Sequence, residues 1–253
     1  MVKEPDEFKF RFGLIGKNID YSFSRGYFNA KFKKESLPYI YENFDLKSIH
    51  GLSAVLQKHE NIKGLNVTIP YKEDIIPFLN AIDKRARSIG AVNTIRITNQ
   101  GQLIGYNTDY LGFKKSLKPF LKENHNRALI LGTGGASKAI AYALHIMNIS
   151  YDYVSRNTNS AAKFLYSDLT ESIVESYPII INCTPIGTFP KVNNCPDIPY
   201  EGIGKNHICY DLIYNPEQTK FLSCGLVQGA QTINGLEMLH IQAEEAWKIW
   251  MNS

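Results

Sequence analysis

Four apolar residues, Ala128–Leu131, run directly into Gly132-Thr-Gly-Gly-Ala-Ser137, and a helical pattern follows. A strand that ends in closely spaced glycines and opens a helix is a narrow constraint on the fold. Gly132 permits the tight turn, Gly134 lets backbone amides approach a pyrophosphate, and the helix N-terminus offers unpaired N–H groups to the anion. Gly135 and Ala136 would open that helix. Ser137 stands where a third glycine is usual in G-x-G-x-x-G and is small enough to pack there. The surrounding strand–helix–strand pattern favours dinucleotide binding over a merely tight turn.

The end of the next apolar run, Tyr151–Val154, selects the dinucleotide. A protein that grips the ribose 2′-hydroxyl of NAD places Asp or Glu there, about 20 residues beyond the glycines. This chain reads Val154-Ser-Arg-Asn-Thr158, with no acid. Arg156 can hold a 2′-phosphate by charge and paired hydrogen bonds, and Ser155, Asn157 and Thr158 add neutral donors. The competing reading is a solvated surface arginine. The missing acid and the present base agree, so the expected cofactor is NADP(H).

Short apolar runs alternate with helical patterns along all 253 residues, which predicts an α/β protein. Strands are expected at Phe10–Ile15, Tyr39–Phe44, Gly64–Ile69, Ile179–Asn182, His207–Leu212 and Gln231–Ile233, and a hairpin around Asn99-Gln-Gly101. Helical spacing is read at Lys47–Glu60, Glu73–Leu79, Tyr110–Lys122 and Leu236–Trp250. The pattern changes near Asn107, which divides the chain into two domains, the second a doubly wound parallel sheet of the Rossmann type. The net charge of +4, from 28 basic and 24 acidic residues, is too small and dispersed to argue for nucleic acid. No apolar run approaches the ~20 residues of a membrane helix. The opening MVKEPDEFKF has no apolar core, four cysteines are irregularly spaced and six histidines show no metal-ligand spacing. A cytoplasmic protein without a metal site is expected, as a monomer or homodimer.

The first half carries polar residues where an apolar context does not ask for them. Ser22 and Ser24 are two apart, so their hydroxyls would share a side of an extended segment. Asn66 and Thr68 would share a strand face, and Pro70 would free Lys72 to turn into a cleft. Asn93 and Asn107-Thr-Asp109 complete a set of neutral hydrogen-bonders with one acid and one base. A ligand rich in hydroxyls and bearing a carboxylate suits that inventory. Each residue also has a bland role: the serines and Asp109 at helix ends, Asn93 at a turn, Lys72 in solvent.

Taken together these motifs resemble the shikimate dehydrogenase family, from Gly13 to Trp250. Asn66-Val-Thr-Ile-Pro-Tyr-Lys72, Gly90-Ala-Val-Asn-Thr94, Gly105-Tyr-Asn-Thr-Asp109, Asn182-Cys-Thr-Pro-Ile-Gly187, Tyr210-Asp-Leu-Ile-Tyr-Asn-Pro216 and Gly235-Leu-Glu-Met-Leu-His-Ile-Gln242 follow the family's order. The resemblance implies that Ser22 and Ser24 hold a substrate carboxylate, that Asn66, Thr68, Asn93 and Gln242 bind ring hydroxyls, and that Lys72 and Asp109 form the catalytic pair. Tyr214 would line the cleft, and Thr184 and Gly235 would join the cofactor residues. It implies a substrate domain over 1–107, an NADP-binding Rossmann domain over 108–235 and a final helix, 236–253, returning to the first domain. The implied reaction is reversible reduction of 3-dehydroshikimate to shikimate by NADPH, with Lys72 protonating the nascent oxyanion. A quinate or dual quinate/shikimate dehydrogenase, and a sensor that binds such ligands without turnover, remain alternatives.

Some positions depart from the family pattern. The usual His-Ser-x-Ser-Pro-x-x-His-Asn reads Tyr21-Ser-Phe-Ser-Arg-Gly-Tyr-Phe-Asn29, so Arg25 replaces the proline and Phe28 the second histidine. A second basic residue expected after Arg156 falls on Ser160, and Asn234 stands where aspartate commonly precedes Gly235.

Overall fold

The computed structural model describes residues 8–20, 22–157 and 162–252. The chain divides into two compact units: one runs to Thr108 and takes the chain in again from Ala243, and the other is Asp109–Gln242.

In the first unit, β1 (Phe10–Gly16), β2 (Tyr39–Asp45), β3 (Ile62–Val67), β4 (Ala81–Ile82), β5 (Thr94–Ile97) and β6 (Leu103–Tyr106) form one sheet, ordered β2-β1-β3-β5-β6-β4. β1 pairs in parallel with β2 and β3, whereas β5 runs antiparallel to β3 and β6. Helices α1 (Phe23–Lys34), α2 (Leu52–Lys58) and α3 (Lys84–Ile89) connect them. β1 is central and buried on both faces, which is why its apolar run is continuous. Ile15 packs with Leu65, Val67 and Ile95 on one side, while Phe12 and Leu14 pack with Phe28, Phe32 and Tyr41 on the other.

The second unit holds α4 (Asp109–Leu117), β7 (Arg127–Leu131), α5 (Gly135–Ile146), β8 (Ser150–Ser155), β9 (Phe164–Leu165), α6 (Glu171–Glu175), β10 (Ile179–Asn182), β11 (Ile208–Asp211), α7 (Lys220–Val227) and β12 (Gln231–Ile233). Its sheet is wholly parallel, ordered β12-β11-β10-β7-β8-β9. The chain builds outward from β7 to β9, then crosses back to start β10 on the other side of β7. Beyond the carboxyl ends of β7 and β10 the connections diverge, which opens a crevice for a ligand.

Helix α8 (Leu236–Met251) closes the chain, and its last turns belong to the first unit. Trp247 and Trp250 pack their rings on Phe12, with centroids 5.6 and 5.1 Å away. The Trp250 indole N–H donates to the Ile95 carbonyl at 3.0 Å. Lys31 of α1 reaches Glu244 at 3.1 Å, and the Tyr27 hydroxyl donates to the same carboxylate.

Three expected helices are shorter than their periodicity suggests. Lys47–Glu60 forms a 3-10 turn at Ile49–Gly51 and then only α2. Glu73–Leu79 contains only a 3-10 turn at Ile76–Phe78, because Pro77 sits in the pattern. The helix expected over Tyr110–Lys122 stops at Leu117, where Pro119 forces a 3-10 turn. Ser22 and Ser24 do not lie on an extended segment: α1 starts at Phe23, so Ser22 precedes its first turn and Ser24 is within it.

Candidate functional site

The crevice in the second unit is a cavity of about 370 Å³, lined among others by Gly132, Gly134, Ser155, Arg156, Tyr166 and Thr184. Gly132 holds φ at +99°, and a Cβ there would stand 2.9 Å from Thr184 Cγ2. The protein's own geometry therefore demands glycine at that turn. Gly134 is different. Its φ of −75° suits any residue, and a Cβ on it would meet nothing within 4 Å. What Gly134 leaves open is room for a ligand at the N-terminus of α5, where the Gly135 and Ala136 amides have no intrahelical acceptor. Ser137 is buried and donates its hydroxyl to the Gly134 carbonyl at 2.7 Å. It serves this turn by its size.

On the β8 side, Ser155 is buried and accepts the Asn157 N–H at 3.2 Å, while Arg156 and Asn157 are exposed. Among the described residues Arg156 has no ion-pair partner. Thr158 and Ser160 lie outside the described residues, as does Tyr21. On the β10 side, the Thr184 amide and hydroxyl both donate to Asn182 Oδ1, at 3.0 and 2.6 Å. Asn182 Nδ2 donates to Asp211 Oδ1 at 3.0 Å, and the Thr219 hydroxyl to Asp211 Oδ2 at 2.7 Å. This buried chain of bonds fixes the loop that forms the cavity wall. Burial pushes the Asp211 carboxyl up to about 6, against the bonds from Thr219, Ile213 and Asn182. Cys183 also faces the cavity, and burial drives its thiol well above the ordinary range, so it stays protonated at neutral pH. Gly235 is off the cavity wall; a Cβ there would lie 2.1 Å from the Leu212 carbonyl, so it lets the chain pass β11 into α8. Asn234 donates to the Glu217 carbonyl at 3.0 Å and accepts the Leu236 N–H at 3.1 Å, a double role that aspartate could not fill.

In the first unit, one buried network joins several of the expected substrate residues. The Tyr41 phenol donates to Asn66 Oδ1 at 2.8 Å and is also hydrogen-bonded by Ser24. Asn66 Nδ2 reaches the Asn93 carbonyl and the Thr94 hydroxyl, each at 3.3 Å. Asn93 Oδ1 accepts the Thr108 N–H at 2.8 Å, and Asn93 Nδ2 donates to the Thr108 hydroxyl at 3.0 Å. Asn93 thus holds the turn between β6 and α4. Ser22 stands apart: its hydroxyl is buried with no hydrogen-bond partner among the described residues, at the N-terminus of a twelve-residue helix. A buried orphan hydroxyl there is suited to an anion.

Phe28 is fully buried and stacks on Tyr41 at 4.8 Å and 13°, so the departure from histidine is a packing one. Arg25 is exposed and donates to the Asp20 carbonyl at 3.2 Å. Thr68 follows the end of β3, and its N–H still pairs with the Ile15 carbonyl at 2.8 Å. Lys72 is half-buried in the first unit, its carbonyl accepting the Val92 N–H at 2.7 Å. Asp109, the first residue of α4, and Gln242 of α8 are buried in the second unit. Gln242 Nε2 donates to the Leu239 carbonyl at 3.1 Å, and Tyr214 is half-buried beyond β11.

Sequence reasoning missed Tyr41 and Tyr166. Nothing in the sequence marks either as polar machinery, because Tyr41 on β2 and Tyr166 just after β9 both look like ordinary core aromatics.

A profile of the shikimate dehydrogenase substrate binding domain matches residues 14–95. The NADP(+) shikimate dehydrogenase of Clostridium botulinum is 42% identical over 247 residues, covering 94% of this chain and 95% of that one. The crystal structure of shikimate dehydrogenase from Aquifex aeolicus superposes with a TM-score of 0.86 at 34% identity, over 97% of this chain and 93% of that one. The Thermus thermophilus enzyme in complex with NADP(H) and shikimate gives a TM-score of 0.85 at 27% identity, over 96% and 94%.

Proposed function

This chain belongs to the shikimate dehydrogenase family, and from that premise we propose that it catalyses the reversible NADPH-dependent reduction of 3-dehydroshikimate to shikimate, with Lys72 and Asp109 as its catalytic pair. The observation that carries the substrate side is Ser22. Its buried hydroxyl at the start of α1, without a partner among the described residues, provides for a carboxylate, with Ser24 beside it in the same turn.

The cofactor is NADP(H), and the residues present fit it. Gly134 leaves a cradle that a Cβ would fill, and Arg156 is an exposed guanidinium beside the cavity with no ion-pair partner among the described residues. When bound, the cofactor supplies the hydride. The chain's own work is to hold the two ligands and to manage charge and a proton. Ser22 and Ser24 bind the carboxylate, while Asn66, Thr68, Asn93 and Gln242 orient the ring through its hydroxyls. As negative charge grows on the ketone oxygen, the Lys72 ammonium stabilises it and gives up a proton to it. Asp109 accepts a substrate hydroxyl and complements the ammonium charge.

No helix among the described residues is long and apolar enough to cross a membrane. The four free cysteines suit a reducing compartment, and the proposed setting is the cytoplasm. The test is nicotinamide absorbance with shikimate or quinate, each with NADP or NAD. Fast shikimate-dependent reduction of NADP is expected. Turnover of quinate alone would reassign the substrate, and no turnover by folded protein would leave a ligand-binding sensor.

A further inference from the structure

The cavity wall carries a polar group, the Tyr166 hydroxyl, that the proposed machinery does not use. Tyr166 follows β9 directly, and β9 is the neighbour of β8: Leu165 pairs with Ser155, so Tyr166 comes level with Arg156 at the carboxyl ends of the two strands. Its ring packs against the core beneath the sheet, yet its hydroxyl is buried and has no hydrogen-bond partner among the described residues. An orphan hydroxyl in a cavity wall costs free energy unless something outside the fold bonds it. Burial, with Cys183 nearby, pushes the phenol up to about 12 against the pull of the Arg156 charge, so at neutral pH it is a neutral donor. Ser155, Arg156 and Asn157 line the same cavity as Tyr166.

We infer that the Tyr166 hydroxyl is a specificity-determining donor to the 2′-phosphate of the cofactor. From just beyond β9 it supplies the second contact that the family resemblance assigns to a basic side chain, where this sequence has Ser160. The inference rests on the reading that Arg156 holds that phosphate. The group recognised is a phosphate monoester on a ribose 2′-oxygen: Arg156 supplies the charge and Tyr166 a short O–H···O⁻ bond. A tyrosine in this position discriminates without adding charge. It has no counterpart bond to make with an unphosphorylated ribose, and its hydroxyl is then left unpaired.

The test is calorimetric titration of the full chain, wild type, Tyr166→Phe and Arg156→Ala, with adenosine 2′,5′-bisphosphate and with adenosine 5′-monophosphate. Tyr166→Phe should weaken the bisphosphate about tenfold or more, as expected for a bond to a charged group, and move the monophosphate by less than about twofold. Because the hydroxyl has no partner among the described residues, the variant without ligand should melt no lower than wild type. Equal weakening of both ligands would make Tyr166 a packing residue for the adenosine and overturn the inference. No change for either ligand, or a lower melting temperature of the unliganded protein, would overturn it too. If Arg156→Ala abolishes discrimination while Tyr166→Phe does not, only the role of Tyr166 falls. If discrimination survives both substitutions, the reading of Arg156 falls with it.

Discussion

The Tyr41 phenol stands 2.8 Å from Asn66 Oδ1 and also takes a hydrogen bond from Ser24, so one buried side chain on β2 couples the start of α1 to the end of β3. Its backbone is clamped in turn by Asn29, whose amide donates to the Tyr41 carbonyl and whose oxygen accepts the Tyr41 N–H, both at 2.9 Å. Two proposed substrate contacts, one for a carboxylate and one for a ring hydroxyl, are thereby held by a residue that need touch neither group.

Tyr41→Phe keeps the stack on Phe28 and removes only the hydroxyl. The loss leaves Asn66 Oδ1 and Ser24 each short of a buried partner, which costs about 1–3 kcal/mol. Steady-state kinetics should show KM for shikimate raised roughly five- to tenfold, with KM for NADP unchanged. Equal effects on both substrates would mean a general loss of fold integrity.

Gly134 and Gly132 separate ligand space from protein space. Gly134→Val has an open site for its side chain in the unliganded protein, so its melting temperature should stay near wild type while NADP affinity falls by about tenfold or more. Gly132→Ala should instead destabilise the fold by about 1–2 kcal/mol, because of its φ of +99° and the Thr184 methyl. Chemical denaturation and cofactor titration of both variants give the comparison. A destabilised Gly134→Val would contradict the account of that turn.

Asp211 makes stability depend on pH in an identifiable window. The folded carboxyl keeps its proton up to about pH 6, whereas an unfolded one releases it near pH 4. Between those values the folded state binds more protons, so stability falls as pH rises from about 4 to about 6. The contribution is on the order of 2–3 kcal/mol, and Asp211→Asn should remove it while leaving other carboxylates' dependence intact. Urea denaturation across that range measures it; an unchanged slope in the variant would contradict the assignment.

Gly64 is the floor on which the last turn of α8 rests. A Cβ there would approach the Trp250 ring to 2.3 Å. Gly64→Ala should therefore cost about 1–3 kcal/mol through overpacking. Loss of the Trp250 fluorescence environment should accompany the lowered melting temperature. A neutral effect would mean the C-terminal helix tolerates displacement from β3.

The parallel sheet of the second unit was legible because strands buried on both faces are continuous apolar runs, as at Ala128–Leu131 and Ile179–Ile181. The glycine turn was legible because glycine at a left-handed φ is a backbone requirement written in one letter. Short elements were not: β4 and β9 have two residues each, too few for any period, and prolines at 77 and 119 cut helical patterns that side-chain spacing alone would extend. The candidate site was legible where a polar residue interrupts an apolar run, as at Asn66. It was illegible where a tyrosine supplies the polar atom, since the ring accounts for its burial and hides the hydroxyl's role. Spacing alone puts Ser22 and Ser24 on one side of an extended segment, and only the start of α1 between them shows that a helix terminus presents them.

The central claim is that Lys72 handles the proton in an NADP-linked shikimate reaction. Its most direct test is single-turnover oxidation of shikimate by Lys72→Ala with NADP, alongside equilibrium binding of shikimate to the same folded protein. Turnover should fall by roughly a hundredfold or more, with shikimate affinity changed far less. Near-normal turnover would contradict it, and Lys72 would then be a surface lysine beside a site that works without it.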